Sequence, residues 1–328
     1  MNYEKYAIID LHLHLDGSLS SKAIIQVAKK EGIKLPTFDE EELNKYLMVP
    51  DICGSLNEYL ERFSLPNLVL QTEYGLEVCT LDLLKRLKND GLKYVEIRMA
   101  PQLSTCNGLT QKQVVQILLK TMKKAEKSGI FSRLILCMMR DNDTKKKNLE
   151  TIAVAKEFLG KGVVAMDLAG AEALYPNEMF EEEFEEIKKN HIPLTIHSGE
   201  AAGSDSVLSA LKYGAKRIGH GIHSIEDKNV INELVKRNVC LEICPKSNLD
   251  TKTISSYDAL PIKEFINAGV KVTINTDDMT VSNTTLKQEY KTLEKMGFTE
   301  AVMQKFAGNS IDFAFCDEKL KDYLRSLI

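Results

Sequence analysis

Ile192-Pro-Leu-Thr-Ile-His197, Arg217-Ile-Gly219 and Val239-Cys-Leu-Glu-Ile243 follow one another in the second half of the chain, and helical periodicity fills Val207–Tyr213 and Asn229–Arg237 between them. Short apolar or β-branched runs read as strands, and segments with an apolar period near 3.6 read as helices, so this stretch is a repeated strand–helix unit. The alternation continues in both directions. Upstream lie the strand candidates Tyr6–Leu11, Tyr94–Met99, Arg133–Met138 and Val163–Leu168, and downstream lies Val270–Asn275. Helical segments fall at Ser21–Glu31 with a serine N-cap, at Thr110–Ser128 closed by Gly129 and at Pro261–Ala268 closed by Gly269. Eight strands with intervening helices predict an α/β fold, a (β/α)8 TIM-type parallel barrel, as a single domain over residues 1–328.

One connection is too long for an ordinary crossover. Residues 20–89, between the first two strands, are helical in pattern and are expected to form an insertion over the barrel mouth, with further helices at the C-terminus. Within the insertion Leu60, Phe63 and Leu65 are either a cap over a ligand or an ordinary core stripe.

Composition narrows the function classes. The 328 residues are 44% hydrophobic and 27% charged, the balance of a soluble globular protein. Forty-three basic against 47 acidic residues offer no electrostatic footprint for DNA or RNA. The start, Met-Asn-Tyr-Glu-Lys-Tyr, lacks a basic segment followed by an apolar one, and no stretch has bilayer-spanning length, so a cytoplasmic protein without membrane association is expected. Seven cysteines, at 53, 79, 106, 137, 240, 244 and 316, are odd in number and scattered, which points to reduced thiols. On a strand, Cys240 and Cys244 would lie about 13 Å apart, too far to share a metal, and are read as core.

Five of the six histidines sit at or just beyond a predicted strand end, His191 being the exception. In a parallel barrel the C-terminal ends of different strands converge on one mouth, so distance in sequence becomes proximity in space. His12 and His14 are separated by one residue, and the two-residue period of a strand turns both imidazoles to the same side. With His197 and Asp277, each closing a later strand, they form a three-imidazole, one-carboxylate set suited to Zn2+, with a water completing the shell; another divalent metal would also be accommodated. Attack by a metal-activated water also needs proton-handling groups, and Glu200, His220 and Asp278 lie beside the ligands. Asp277 and Asp278 are consecutive and point in different directions, although Asp278 could instead cap a helix. His223 reads as structural.

These motifs, His12-Leu-His-Leu-Asp-Gly17, Asp167-Leu-Ala-Gly170, His197-Ser-Gly-Glu200, Gly219-His-Gly-Ile-His223 and Asn275-Thr-Asp-Asp278, resemble those of the adenosine deaminase family, and Tyr94-Val-Glu-Ile-Arg-Met-Ala-Pro101 looks like its second strand. The resemblance implies one Zn2+ per chain on His12, His14, His197 and Asp277, and hydrolytic deamination of adenosine or deoxyadenosine to inosine or deoxyinosine and ammonia in purine salvage. It implies that Glu200 protonates purine N1, that His220 positions and deprotonates the water attacking C6, and that Asp278 accepts a hydrogen bond from that water. For binding it implies that the Gly170 N–H reaches purine N3 and that Asp16, with His14 nearby, reaches the ribose hydroxyls. The expected partner is a small purine nucleoside, and the expected state a monomer or weak homo-oligomer.

Three positions depart from the family pattern: Ser198 where alanine is common, Ala171 where an acidic residue often follows the glycine, and Met279 where proline often follows the paired aspartates. None removes a proposed catalytic group, but together they blur the choice of purine. An adenine, nucleotide or modified-purine deaminase on the same scaffold is therefore the nearest alternative, and a non-catalytic, metal-stabilised binding module a more distant one. The strand-four segment Val163–Gly170 carries no lysine to bridge two metals, which favours a mononuclear site. The His-x-Glu and Pro-Cys-x-x-Cys pair of the other zinc deaminase fold is absent.

Overall fold

In the computed structural model, residues 3–50 and 59–328 are described; Cys53 lies outside them. Eight parallel strands form two four-stranded sheets in sequential order: β1 (Ile9–His14), β2 (Tyr94–Met99), β3 (Phe131–Arg140) and β4 (Val163–Gly170), then β5 (Thr195–Ser198), β6 (Arg217–His220), β7 (Cys240–Ile243) and β8 (Lys271–Ile274). Parallel bridges join the two sheets at both seams, Leu13 with Asp277 and Met166 with Leu194, so the strands make a closed circuit. Helices between successive strands cover its outside, the layering that right-handed βα crossovers impose.

Local chemistry explains where the elements begin and end. Ser20 caps the helix Ser21–Glu31 by accepting the Ala23 N–H, and Gly32 closes it in the left-handed conformation. Thr110 and Gln113 form a reciprocal capping box at the start of Gln111–Glu126. β1 begins three residues later than expected because its ladder with β2 starts at the pair Ile9 and Tyr94, and Tyr6 packs into the core from a turn. β5 is likewise trimmed: Pro193 has no N–H to give, and its carbonyl accepts from Met166 N at 2.9 Å as the seam between the sheets. The capping residue of the insertion's long helix Glu73–Asn89 is Thr72, whose side chain accepts the Gly75 N–H.

The interior of the circuit departs from the apolar layering usual for such barrels. Arg98, Arg217, Glu96, Asp167 and Glu242 are all fully buried in it. Arg98 spans Asp167 Oδ2 at 2.9 Å and Glu242 Oε2 at 2.8 Å, while Arg217 spans Glu242 Oε1 at 2.5 Å and Glu96 Oε2 at 2.6 Å. Each charge is thereby paired, the condition under which buried ions are tolerated. At the N-terminal end of the barrel the column meets the C-terminal helices: Phe315 N donates to Glu96 Oε1 at 2.6 Å and Arg217 Nη1 to Phe313 O at 3.0 Å. Ile311, Ala314, Leu320 and Leu324 close that end against Ile9, Leu11 and Tyr94. No helix among the described residues is long and apolar enough to cross a membrane.

Candidate active site

The β1–β8 seam brings the first three site residues together. His14 N donates to Asp277 O and Asp277 N to His12 O, each at 2.8 Å, so the bonds that close the barrel also fix the ligand candidates. Side chains reinforce the seam. Asp10 accepts His12 N at 3.1 Å and Thr276 Oγ1 at 2.6 Å, and Asn275 Oδ1 accepts Leu11 N at 3.1 Å. His197, at the end of β5, arrives beside them because Gly219 on β6 has no side chain; a Cβ there would stand 3.1 Å from the His12 ring.

His12 Nε2 and His197 Nε2 are 3.1 Å apart, and His14 Nε2 is 3.2 Å from the latter. Asp277 Oδ1 lies 3.2 Å from His12 Nε2 and 3.4 Å from His14 Nε2. The opposite ring nitrogens decide what these separations mean. His12 Nδ1 donates to Glu242 Oε2 at 2.7 Å, and His197 Nδ1 to Asp167 Oδ2 at 2.9 Å. In the neutral rings both Nε2 atoms therefore bear lone pairs, which face each other without a proton between them. A cation resolves that repulsion. Metal–nitrogen bonds of about 2.1 Å in a tetrahedron give ligand separations of about 3.4 Å, close to those observed. The set fits a divalent metal ion, and the two carboxylates behind it fix ring tautomer and orientation. Arg98 ties those carboxylates to each other.

Cys244, read from the sequence as core, is buried but is also close to the site: its Sγ and ligand atoms of His12, His220 and Asp277 lie within 4.8 Å of one another. Burial, then Asp277, pushes its thiol well above the usual range, and Sγ donates to Glu242 O at 3.5 Å. The three-imidazole, one-carboxylate set is the better cation site.

A cavity of about 380 Å³ opens over this cluster, lined by His14, Asp16, Gly170, Glu200, His220 and Asp278 among others. Of the residues proposed for metal binding, catalysis and substrate binding, all but His12 line it, and the buried His12 ring meets His197 and Asp277 behind that wall. Burial, then the carboxylates of Asp277 and Glu172, raises the Glu200 carboxyl to about 8. Burial lowers His220 to about 3, leaving it neutral, with Nε2 3.6 Å from Glu200 Oε2 and 3.7 Å from Asp277 Oδ2. Asn248 lies 3.0 Å from His220 Nδ1, and its Oδ1 accepts Cys244 N at 3.4 Å. In that orientation the amide donates to Nδ1, and the neutral ring carries its hydrogen on Nε2.

Asp277 and His220 both hold left-handed backbone, at φ 63° and 60°, conformations that non-glycine residues adopt with strain and that cluster at functional sites. The turn after Asp277 separates the paired aspartates. Asp278 Oδ2 accepts the Tyr59 hydroxyl at 3.0 Å, whereas its Oδ1 is buried and has no hydrogen-bond partner among the described residues. The helix-capping alternative for Asp278 is not what the structure shows, since no helix begins there. Gly17 lies directly under this carboxylate, and a Cβ at Gly17 would fall on Asp278 Oδ1. Asp16 Oδ1 is likewise buried without a partner, and burial raises its carboxyl to about 6.

Of the insertion residues, Leu60 and Phe63 line the cavity, while Leu65 packs on the main core. His223 pairs with Glu226 at 2.7 Å on the surface side, in keeping with a structural role. Sequence reasoning missed Tyr59, Arg98, Glu172, Glu242 and Asn248. For Arg98 and Glu242 a signal was present, because a charge inside a strand buried on both faces needs a partner.

A closed circuit of parallel strands with convergent ligands at its C-terminal mouth defines a barrel built for metal-assisted chemistry. A sequence model of the family described as adenosine deaminase matches residues 8–328. An adenosine deaminase of Haemophilus ducreyi (strain 35000HP / ATCC 700724) is 45% identical over 326 residues, 98% of this chain and 95% of that protein. One from Clostridium botulinum (strain Okra / Type B1) is 41% identical over 333 residues, 100% of this chain and 98% of that one. Among solved structures, the adenine deaminase of Arthrobacter aurescens superposes with a TM-score of 0.88 at 27% identity, covering 98% of this chain and 97% of that one. The chain belongs to the adenosine deaminase family.

Proposed function

We propose that the protein hydrolyses adenosine and deoxyadenosine to inosine and deoxyinosine with release of ammonia, using one zinc ion. The observation that carries this reading is a single cavity at which the His12, His14, His197 and Asp277 cluster, a Glu200 carboxyl raised to about 8 and the unpartnered Oδ1 of Asp16 all meet. Zinc, when bound, would polarise a water molecule and make it nucleophilic near neutral pH.

The protein groups divide the remaining work. Glu200, protonated at neutral pH, gives its proton to purine N1 as water adds at C6, which places negative charge on no ring atom. Asp278 Oδ1, the free acceptor, takes a hydrogen bond from the attacking water and aims it. His220 holds that water from another side through Nε2; for it to take the proton there, the ring hydrogen must move to Nδ1 with the Asn248 amide turned to accept it. His220 then returns the water's proton to the C6 amino group, the C–N bond breaks, ammonia leaves, and the C6 hydroxyl proton restores the Glu200 carboxyl as the carbonyl forms.

Two features favour a nucleoside. A buried carboxylate oxygen without a partner is costly until a donor arrives, and a ribose hydroxyl is such a donor for Asp16; a free base has no hydroxyl and offers only its ring N–H, on a shorter molecule. A 5′-phosphate would enter a cavity whose wall away from the metal cluster carries the carboxylates Asp16 and Asp141, while the cation on that wall, Arg140, already donates to Tyr175 O, Asn177 Oδ1 and His197 O at 2.6 to 2.7 Å. Gly170, in left-handed backbone at φ 111°, leaves the cavity wall open to close approach by a flat ring.

A panel of adenosine, deoxyadenosine, adenine and adenosine monophosphate, followed by loss of the amino-purine absorbance, tests the reading. Adenosine and deoxyadenosine should exceed the other two in kcat/KM by at least about 100-fold, the scale set by leaving a buried polar group unpaired. Comparable turnover of adenine or the monophosphate overturns the substrate assignment.

A further inference from the structure

We infer that Glu172, two residues beyond β4, is the positioning residue for the proton donor Glu200; this rests on the role proposed above for Glu200. Glu172 is buried, with 1% of its surface exposed, and makes no ion pair among the described residues. Its charge is met instead by five hydrogen bonds from the loop that follows β5. Oε1 accepts Gly199 N at 2.7 Å and Ser206 Oγ at 2.5 Å, and Oε2 accepts Glu200 N at 3.0 Å, Ala201 N at 2.8 Å and Ala202 N at 3.2 Å.

Four successive backbone N–H groups aimed at one carboxylate form an anion-binding concavity, a conformation that the left-handed Gly199, at φ 70°, makes available. The loop is itself buried at Gly199 and Glu200 and half-buried at Ala201 and Ala202, so its N–H groups need acceptors, and a carboxylate that bears a desolvation cost holds them more firmly than a neutral acceptor would. This loop carries Glu200, and the Glu200 N–H is itself one of the four donors. The carboxylate therefore fixes the Cα from which the proton donor projects. It also links strands: Glu172 shares the β4 turn with Gly170, so the wall against which the purine lies and the base of the proton donor are set by one short segment.

The test is a double-mutant cycle of Glu172→Gln and Glu200→Gln on the metal-loaded enzyme, with adenosine as substrate. The amide introduced by Glu172→Gln would keep the shape but put hydrogen atoms where loop N–H groups need an acceptor. Expected is a fall in kcat on the order of 10- to 100-fold for Glu172→Gln, the penalty of displacing a catalytic group by about an ångström. KM and the metal-to-protein ratio should stay within about twofold, and the same substitution should have no further effect in the Glu200→Gln background. Equal losses in both backgrounds, or no loss in either, overturn the positioning role. A Glu200→Gln enzyme that retains its kcat overturns the assignment of Glu200, and this inference with it. Should Glu172→Gln fail to fold, Ser206→Ala, which removes one donor to Oε1, decides alone: a smaller kcat loss confined to the Glu200 background supports the role, and an additive one overturns it.

Discussion

The two ends of the barrel treat charge in opposite ways. At the N-terminal end Glu96 and Arg217 are fully buried and their charges are paired, by each other, by Glu242 and by the backbone of residues 313 and 315. At the C-terminal mouth Asp16 and Asp278 each keep a buried oxygen without a partner among the described residues, and Asp277 and His220 hold strained backbone. Compensated charge rigidifies a core, whereas a buried carboxyl oxygen left unmet is a stored preference for whatever ligand brings the missing partner. The same residue types thus stabilise one end and equip the other.

The contrast breaks most readily at its stable end. Glu96→Gln takes a charge away from Arg217 and should lower unfolding stability by about 3 kcal/mol, read as the urea midpoint, while kcat and KM at 25 °C stay put. A matching loss of kcat would show that the column transmits to the mouth and that the two ends are not separable.

A second effect, smaller but easier to read, comes from pH. With Glu200 raised to about 8, its acid form prevails below that value and can donate; as pH rises through 8 the carboxylate form takes over. The kcat profile should fall about tenfold per unit above this point, and a flat alkaline limb to pH 10 would remove Glu200 as the donor. The smallest effect expected is that of Tyr59→Phe, which frees Asp278 Oδ2 from the insertion's hydroxyl. The lost bond is worth about 1 kcal/mol, roughly fivefold in kcat. No change would mean that Gly17 packing alone holds the carboxylate.

The mouth was more legible in the sequence than the column beneath it. His12, His14, His197, Glu200, His220 and Asp277 could be located because strand ends converge in a parallel barrel, a rule that needs only the strand pattern. Arg98, Arg217 and Glu242 could be seen as charges within apolar runs, but which carboxylate meets which guanidinium depends on strand register, and register is set by pairing across the whole sheet. Glu172 and Tyr59 gave no signal. Glu172 lies in a turn and Tyr59 in a helical part of the insertion, and both reach the site from segments whose return to it the strand pattern does not show. Strand limits moved by a few residues, at β5 where a proline interrupts the ladder and at β1 where pairing with β2 runs from Ile9 to His14.

The closure at the N-terminal end also sets an order on biosynthesis. Glu96 receives its backbone donor from Phe315, 219 residues later, and Arg217 donates to a carbonyl 96 residues ahead of it. A nascent chain still on the ribosome with those residues unmade holds the strands but not the groups that complete their interior charges. The ladder itself uses none of these groups, but the interior charges have all their partners only once residues 313 and 315 are in place.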